Sequence, residues 1–176
     1  MTAFTRALVA PDAVPQYAEK LKLYGQFVGS WEADAKAFLP DGAIRRHYWQ
    51  IHFDWVLEGR AIQDVWITPP RHGVHAGQSE RWGPFDHQYG TSLRVYDPKV
   101  DAWRVTWIDP CADFRADLIG RAQDDGIFQE GTGSNGMALR WIFSEVTRDS
   151  FRWRSEISMD AGASWHNAVE MLAKRT

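Results

Sequence analysis

Turn chemistry recurs roughly every eight to twelve residues along most of this chain, and that spacing constrains its fold more than any other feature. From Gly29 onward, runs rich in Trp, Ile, Val, Phe and Thr alternate with short segments suited to chain reversal. Pro40-Asp41-Gly42 combines a fixed φ, an Asx-capable side chain and a residue tolerant of the left-handed region. Glu58-Gly59, Asp97-Pro98-Lys99, Asp124-Asp125-Gly126, Asn135-Gly136, Thr147-Arg148-Asp149-Ser150 and Asp160-Ala161-Gly162 continue the series, with Asn-Gly the strongest two-residue hairpin signal. Ten strands follow, at about 30–39, 43–57, 60–68, 90–97, 102–109, 112–122, 126–132, 137–146, 151–158 and 164–174.

Ten up-and-down strands leave two unpaired edges unless the sheet closes, and closure into a barrel removes both. Hairpin-length links favour that meander over the Greek-key crossings of a β-sandwich. One segment reads as helical: Asp12 is placed to cap, Pro15 fits a first turn, and Tyr17, Leu21, Tyr24 and Val28 fall near one face. The chain thus reads as one domain, with an N-terminal arm and helix over 1–28 and a barrel over 29–176. The segment 69–90 has no steady period and reads as a long loop over one barrel mouth. Its Trp82, Phe85 and Tyr89 are expected to fold over that mouth as a lid. His72, His75 and His87 could meet Asp86 at a metal, but loop spacing enforces no such geometry. A solvated loop is the preferred reading, and no metal is expected.

Composition narrows the function classes. The 176 residues carry 23 acidic and 20 basic side chains, a formal charge of -3 without basic runs, which argues against a nucleic-acid partner. Hydrophobic residues make up 44% and aromatics 14%, enough to argue against disorder. A lone cysteine, Cys111, excludes an internal disulfide and reads as a buried or incidental thiol. No apolar run approaches the ~20 residues of a membrane span, and the N-terminus does not read as a signal peptide. A cytoplasmic location and no membrane partner are expected.

A short helix leading into Gly29-Ser30-Trp31 resembles the glycine-x-tryptophan start of lipocalins and other calycins, in which the Trp packs at the closed barrel end. Leu93–Asp109, with Tyr96-Asp97 and Thr106-Trp107-Ile108-Asp109, resembles an uncharacterised bacterial family of lipocalin-like domains. The likeness runs over about 21–175. It implies an all-β, ten-stranded antiparallel up-and-down calycin-like barrel with a small-molecule cavity, and names no ligand. Separately, Ser158-Met159-Asp160-Ala161-Gly162-Ala163-Ser164-Trp165 matches the Asp-box pattern of sialidases. Sialidases repeat that box on successive blades; here it occurs once and reads as a self-stabilised hairpin.

Turn lengths set register, and register decides which side chains face the lumen. A three-residue loop at Pro40-Asp41-Gly42 places Trp31 opposite Ile51, so with Trp31 inward by resemblance, His47, Trp49, Ile51, Phe53 and Trp55 follow. A two-residue loop at Glu58-Gly59 places Phe53 opposite Asp64 and turns Ile62, Asp64 and Trp66 inward. A four-residue loop over 98–101 adds Ser92, Arg94 and Tyr96 beside Trp103, Val105 and Trp107. A two-residue closure at Asn135-Gly136 and a four-residue loop over 147–150 put Phe128, Glu130, Trp141, Phe143, Arg154, Glu156, Val169 and Met171 on one face, taken as inward. A single bulge reverses that last assignment.

The expected lumen is walled by indole and phenyl rings with a few convergent polar groups, the usual chemistry of a small-ligand site. The ligand-binding candidates are Trp49, Phe53, Trp66, Arg94, Tyr96, Trp107, Trp141, Arg154 and Asn167. Arginine would fix an anionic group, or Arg94–Asp64 and Arg154–Glu130 pairs would simply satisfy each other. The first functional reading is a barrel binding a small hydrophobic or aromatic ligand, an anion among the options. The alternative is a lyase, isomerase or hydrolase using Asp64, Glu130 or Glu156 as carboxylates of raised pKa. A further alternative is haem, since nitrobindins are also calycin-like barrels; it would need His47 inward, while His166 should point out. Outward Val65, Ile67, Val95 and Ile108 leave room for a homodimer.

Overall fold

The computed structural model describes residues 1–78, 86–124 and 126–176. Its strands are β1 (Gly29–Phe38), β2 (Ile44–Val56), β3 (Ala61–Thr68), β4 (Gln88–Asp97), β5 (Ala102–Asp109), β6 (Phe114–Gln123), β7 (Gly126–Gly133), β8 (Ala138–Ser144), β9 (Ser150–Ser158) and β10 (His166–Arg175). Each pairs antiparallel with its sequence neighbours, and β1 closes onto β10. No strand end departs by more than two residues from the ranges read off the turns.

Closure leaves two ends. At one, the chain before β1 plugs the barrel. A short helix α1 (Ala3–Leu8), not anticipated from sequence, is capped by the Thr2 hydroxyl, which accepts the Thr5 N–H at 3.1 Å. Ala10 N–H then donates to Trp55 O at 2.8 Å, tying the arm to β2. Asp12 caps no helix; it accepts the Ala13 N–H at 2.7 Å, and Pro15 opens a 3-10 turn that runs into α2 (Ala18–Gly25).

The apolar face of α2 enters the lumen: Leu21, Tyr24 and the following Phe27 are fully buried. The Phe27 ring lies 5.5 Å from Phe53, 4.8 Å from Phe143 and 5.0 Å from Phe151. Trp31 sits beside this cluster and donates its Nε1–H to Phe27 O at 2.7 Å, at the plugged end as the resemblance implied. Burial of each such ring stabilises by roughly 1.5–3 kcal/mol, so this half of the lumen is a solid core.

The turn-derived register is borne out over the first five strands. Trp31 lies opposite Ile51, Phe53 opposite Asp64, and Ser92 opposite Trp107. It slips by one residue at two later hairpins. The β7–β8 link is a three-residue loop, with Gly133 N–H donating to Met137 O at 3.0 Å and Gly136 at φ 81°. Glu130 therefore faces Arg140, and Gln129 rather than Glu130 faces Trp141. The β8–β9 link is shorter than expected by the same count, setting Phe143 opposite Trp153 and Trp141 opposite Ser155. β10 realigns through a bulge between Asn167 and Val169.

On the outer wall, Val95 and Ile108 are exposed and Val65 is half-buried, whereas Ile67, expected to be exposed, is buried. No helix among the described residues is long and apolar enough to cross a membrane.

Candidate functional site

Above the plugged half the lumen is hollow, with a cavity of about 190 Å³ opening toward the turns that precede β2, β4, β6, β8 and β10. Its walls are Trp49, Trp66, Trp107, Leu139, Trp141, Trp153, Ile157, Val169 and Met171, with Gln88, Asn135 and Met137 near the rim. The alternation of strands explains the composition: on β9, Phe151, Trp153, Ser155 and Ile157 point in while Arg152, Arg154 and Glu156 point out. The β10 bulge puts both Ala168 and Val169 on the lining.

The indoles contact one another in a closed ring. Trp66 meets Trp107 at 6.5 Å and 88°, Trp107 meets Trp141 at 6.0 Å and 88°, Trp141 meets Trp153 at 6.0 Å, and Trp153 returns to Trp66 at 5.2 Å. Trp49 joins through Trp66 at 6.1 Å. Edge-to-face contacts, as between Trp66 and Trp107 or Trp107 and Trp141, are favourable for aromatic pairs, and the two tilted contacts of Trp153 complete the ring. Glycine at position 90 makes one of them fit, because a β-carbon there would collide with the Trp107 ring.

Beneath the ring lies a buried ion pair. The Arg94 guanidinium donates to Asp64 Oδ2, and Asp64 Oδ1 accepts the Ser92 N–H at 2.8 Å. Both side chains are sealed from solvent, and Arg94 and Ser92 form part of the cavity floor. The guanidinium lies 5.2 Å over the Tyr24 ring and 5.6 Å over Phe53, while Tyr24 Oη donates to Gln129 Oε1 at 3.0 Å. Burial pushes the Tyr24 phenol above its ordinary range and pulls Arg94 down to about 10, which leaves it cationic at neutral pH. Asp64 compensates that cation, so the floor carries no net charge.

The structure brings Trp49, Trp66, Arg94, Trp107 and Trp141 together at the cavity. Phe53 faces inward but lies in the solid half, beneath Arg94. Tyr96 is also away from the cavity, packed on Tyr17 at 5.4 Å and donating to Asp101 at 2.7 Å near the plugged end. Glu130, Arg154, Glu156 and Phe128, expected inward, lie on the outer wall because of the one-residue slips. There Glu130 pairs with Arg140 at 2.7 Å, Arg154 with Glu156 at 2.8 Å, and Phe128 lies under Arg140 at 5.4 Å. Asn167 faces Glu156 as expected but is exposed, since the bulge comes after it. The turn-based register missed Trp153, Ser155 and Ile157, although the alternation of apolar with charged residues over 151–157 signals that face directly.

No Asp, Glu or His among the described residues lines the cavity. His47 is inward and buried on β2 but is not part of the lining, and His166 is exposed. The residues present therefore do not fit a histidine-ligated haem. Among the described residues no three His, Cys, Asp or Glu side chains gather in a metal-binding group. In the long loop His75 stacks on Tyr48 at 3.7 Å; Trp82 and Phe85 lie outside the described residues, and Tyr89 belongs to β4 and points outward. Cys111, expected to be buried or incidental, is exposed.

The Asp-box segment is a closed hydrogen-bond network. Asp160 accepts Ser164 N–H at 2.8 Å, Ser164 Oγ at 2.6 Å and Ser158 Oγ at 2.7 Å, and Trp165 Nε1 donates to Gly162 O at 3.1 Å. These bonds hold the Asp160 carboxyl well below the usual carboxylate range. Arg140 covers Trp165 at 3.7 Å on the outside of the barrel.

The fold is similar to that of Rv2717c from M. tuberculosis, with a TM-score of 0.66 and 14% identity over 94% of this chain and 99% of that one. It is also similar to CPES, an S-type phycobiliprotein lyase from Guillardia theta, with a TM-score of 0.56 and 10% identity over 92% and 98% of the two chains. These likenesses establish the calycin-like barrel. No protein-family model matches the chain, and no curated protein matches it.

Proposed function

We propose that the barrel binds a small planar aromatic molecule in its indole-walled cavity. The carrying observation is the closed ring of Trp66, Trp107, Trp141 and Trp153 around a hollow of about 190 Å³. An apolar cavity of ~150 Å³ suffices for benzene, and drug-sized ligands need roughly 300 Å³ or more, so the volume suits one or two fused rings. Rings already held against one another, two pairs at 88° and two at 55° and 53°, supply stacking area with little side-chain ordering on binding.

The catalytic alternative loses its residues in this arrangement. Glu130 and Glu156 sit on the outer wall in pairs with Arg140 and Arg154, and Asp64 is occupied by Arg94 and the Ser92 N–H. A titration of tryptophan fluorescence with one- and two-ring aromatics tests the binding reading. Saturable quenching is expected, weakened at least tenfold in Trp141→Leu; an absence of response across the set, with the fold intact by circular dichroism, would reject it.

A further inference from the structure

Ser155 sets a hydroxyl into a wall that is otherwise indole and hydrocarbon. It points into the cavity from β9, between Trp153 and Ile157 on its own strand, and lies opposite Trp141 on β8 and Val169 on β10. Among the described residues nothing hydrogen-bonds its Oγ, and that atom is not sealed within the wall as Trp49 Nε1 and Trp66 Nε1 are. The residue is only 8% exposed, and it faces the cavity. The other uncharged polar side chains of the lining differ. Ser92 is 1% exposed in the floor, while Gln88 and Asn135 stand near the rim, half-buried and exposed, within reach of solvent.

A molecule that fills the cavity covers what solvent access the Ser155 hydroxyl has. A bare hydrocarbon would leave that hydroxyl dehydrated and without a partner, which opposes binding. A ligand with its own hydrogen-bonding group at that point takes over the place of water. Phenolic hydroxyls donate better than aliphatic ones, and aliphatic hydroxyl oxygens accept better than phenolic ones. The matched partner of Ser155 Oγ is therefore a hydroxyl on an aromatic ring. Charge selects further. Arg94 is the ionisable group of the lining, and Asp64 neutralises it, so an ionised ligand would lose hydration and gain no free counter-charge. A phenol, with an ordinary pKa of about 10, is neutral at pH 7.

We infer that the natural ligand is an uncharged phenol of one or two fused rings whose hydroxyl donates to Ser155 Oγ, and that Ser155 selects it over the bare hydrocarbon. This rests on the cavity-binding reading above.

Isothermal titration calorimetry at pH 7 tests it, with the protein titrated into 2-naphthol, naphthalene, coumarin or 2-naphthoate. 2-Naphthol should bind about fivefold or more tighter than naphthalene, the worth of roughly one net hydrogen bond. It should also bind tighter than coumarin, which only accepts, and tighter than the 2-naphthoate anion. In Ser155→Ala the advantage of 2-naphthol over naphthalene should fall below about twofold, while naphthalene binds as well as before or better. If Ser155→Ala keeps the full preference, or if any of the other three probes matches 2-naphthol in the parent protein, the inference is overturned while the cavity reading stands. If none of the four binds the parent protein, both fall.

Discussion

Arg94 and Asp64, paired across adjacent strands and sealed from solvent, separate the solid half of the barrel from the hollow one. The guanidinium lies over the Tyr24 ring of the plugging helix on one side and forms cavity floor on the other. Removing one partner leaves an uncompensated buried charge, so Asp64→Asn should cost about 3–5 kcal/mol in urea unfolding. The double variant Asp64→Leu/Arg94→Met should regain much of that loss. Additive losses in the double variant would show that the two groups do not act as a pair.

Gly90 and Trp107 give a second prediction. Any β-carbon at position 90 strikes the Trp107 indole, and the space open to the displaced ring is the cavity that it lines. Gly90→Ala should destabilise by about 1–3 kcal/mol and weaken aromatic binding, since the displaced ring intrudes on the cavity. Unchanged affinity in a calorimetric titration would mean that Trp107 does not define the wall.

Glu130, Arg154 and Glu156 lie outside the lumen in ion pairs that are exposed or half-buried. Glu130→Gln and Glu156→Gln should each leave ligand affinity within twofold and stability within about 0.5 kcal/mol, as usual for surface ion pairs. A tenfold loss of affinity in either would place those side chains in the cavity and contradict the observed register.

Asp160 supplies the pH-dependent prediction. Its carboxyl is held below the ordinary value of 3.8 by Ser164 and Ser158, so it contributes stability above pH 3.8 that is lost as pH falls through the folded-state value. Asp160→Asn should lower Tm at pH 7, with the gap to the parent protein narrowing below pH 3.8. A gap that stays constant from pH 7 to pH 3 would remove the carboxylate from this account.

Much of this architecture was legible in the residues. Turn chemistry located all ten strands, and three correct loop lengths fixed the pairing of β1 with β2, β2 with β3 and β4 with β5, with the inward face set by Trp31. Register failed where a turn motif was compatible with two loop lengths. Asn135-Gly136 served as part of a three-residue loop with Gly136 in the left-handed region, and that one residue reversed the faces of β7. On β9 the pattern Phe151-Arg152-Trp153-Arg154-Ser155-Glu156-Ile157 carries the right answer through its charges alone. Burying Arg154 and Glu156 together would have cost far more than exposing them, a physical preference stronger than any loop count. A cavity was expected from the resemblance, but its extent was not legible, because it depends on how far α2 penetrates the lumen.

A hollow walled by Trp49, Trp66, Trp107, Trp141 and Trp153 is where the ligand is proposed to bind. Nitrogen-15 correlation spectra of the indole N–H groups test it most directly, with each of the ten tryptophans assigned by single substitution and coumarin then added. The signals of Trp49, Trp66, Trp107, Trp141 and Trp153 should shift with one saturable isotherm, while those of Trp31, Trp55, Trp103 and Trp165 should stay in place. Shifts confined to the second set, or none in the first at saturating coumarin, would contradict it.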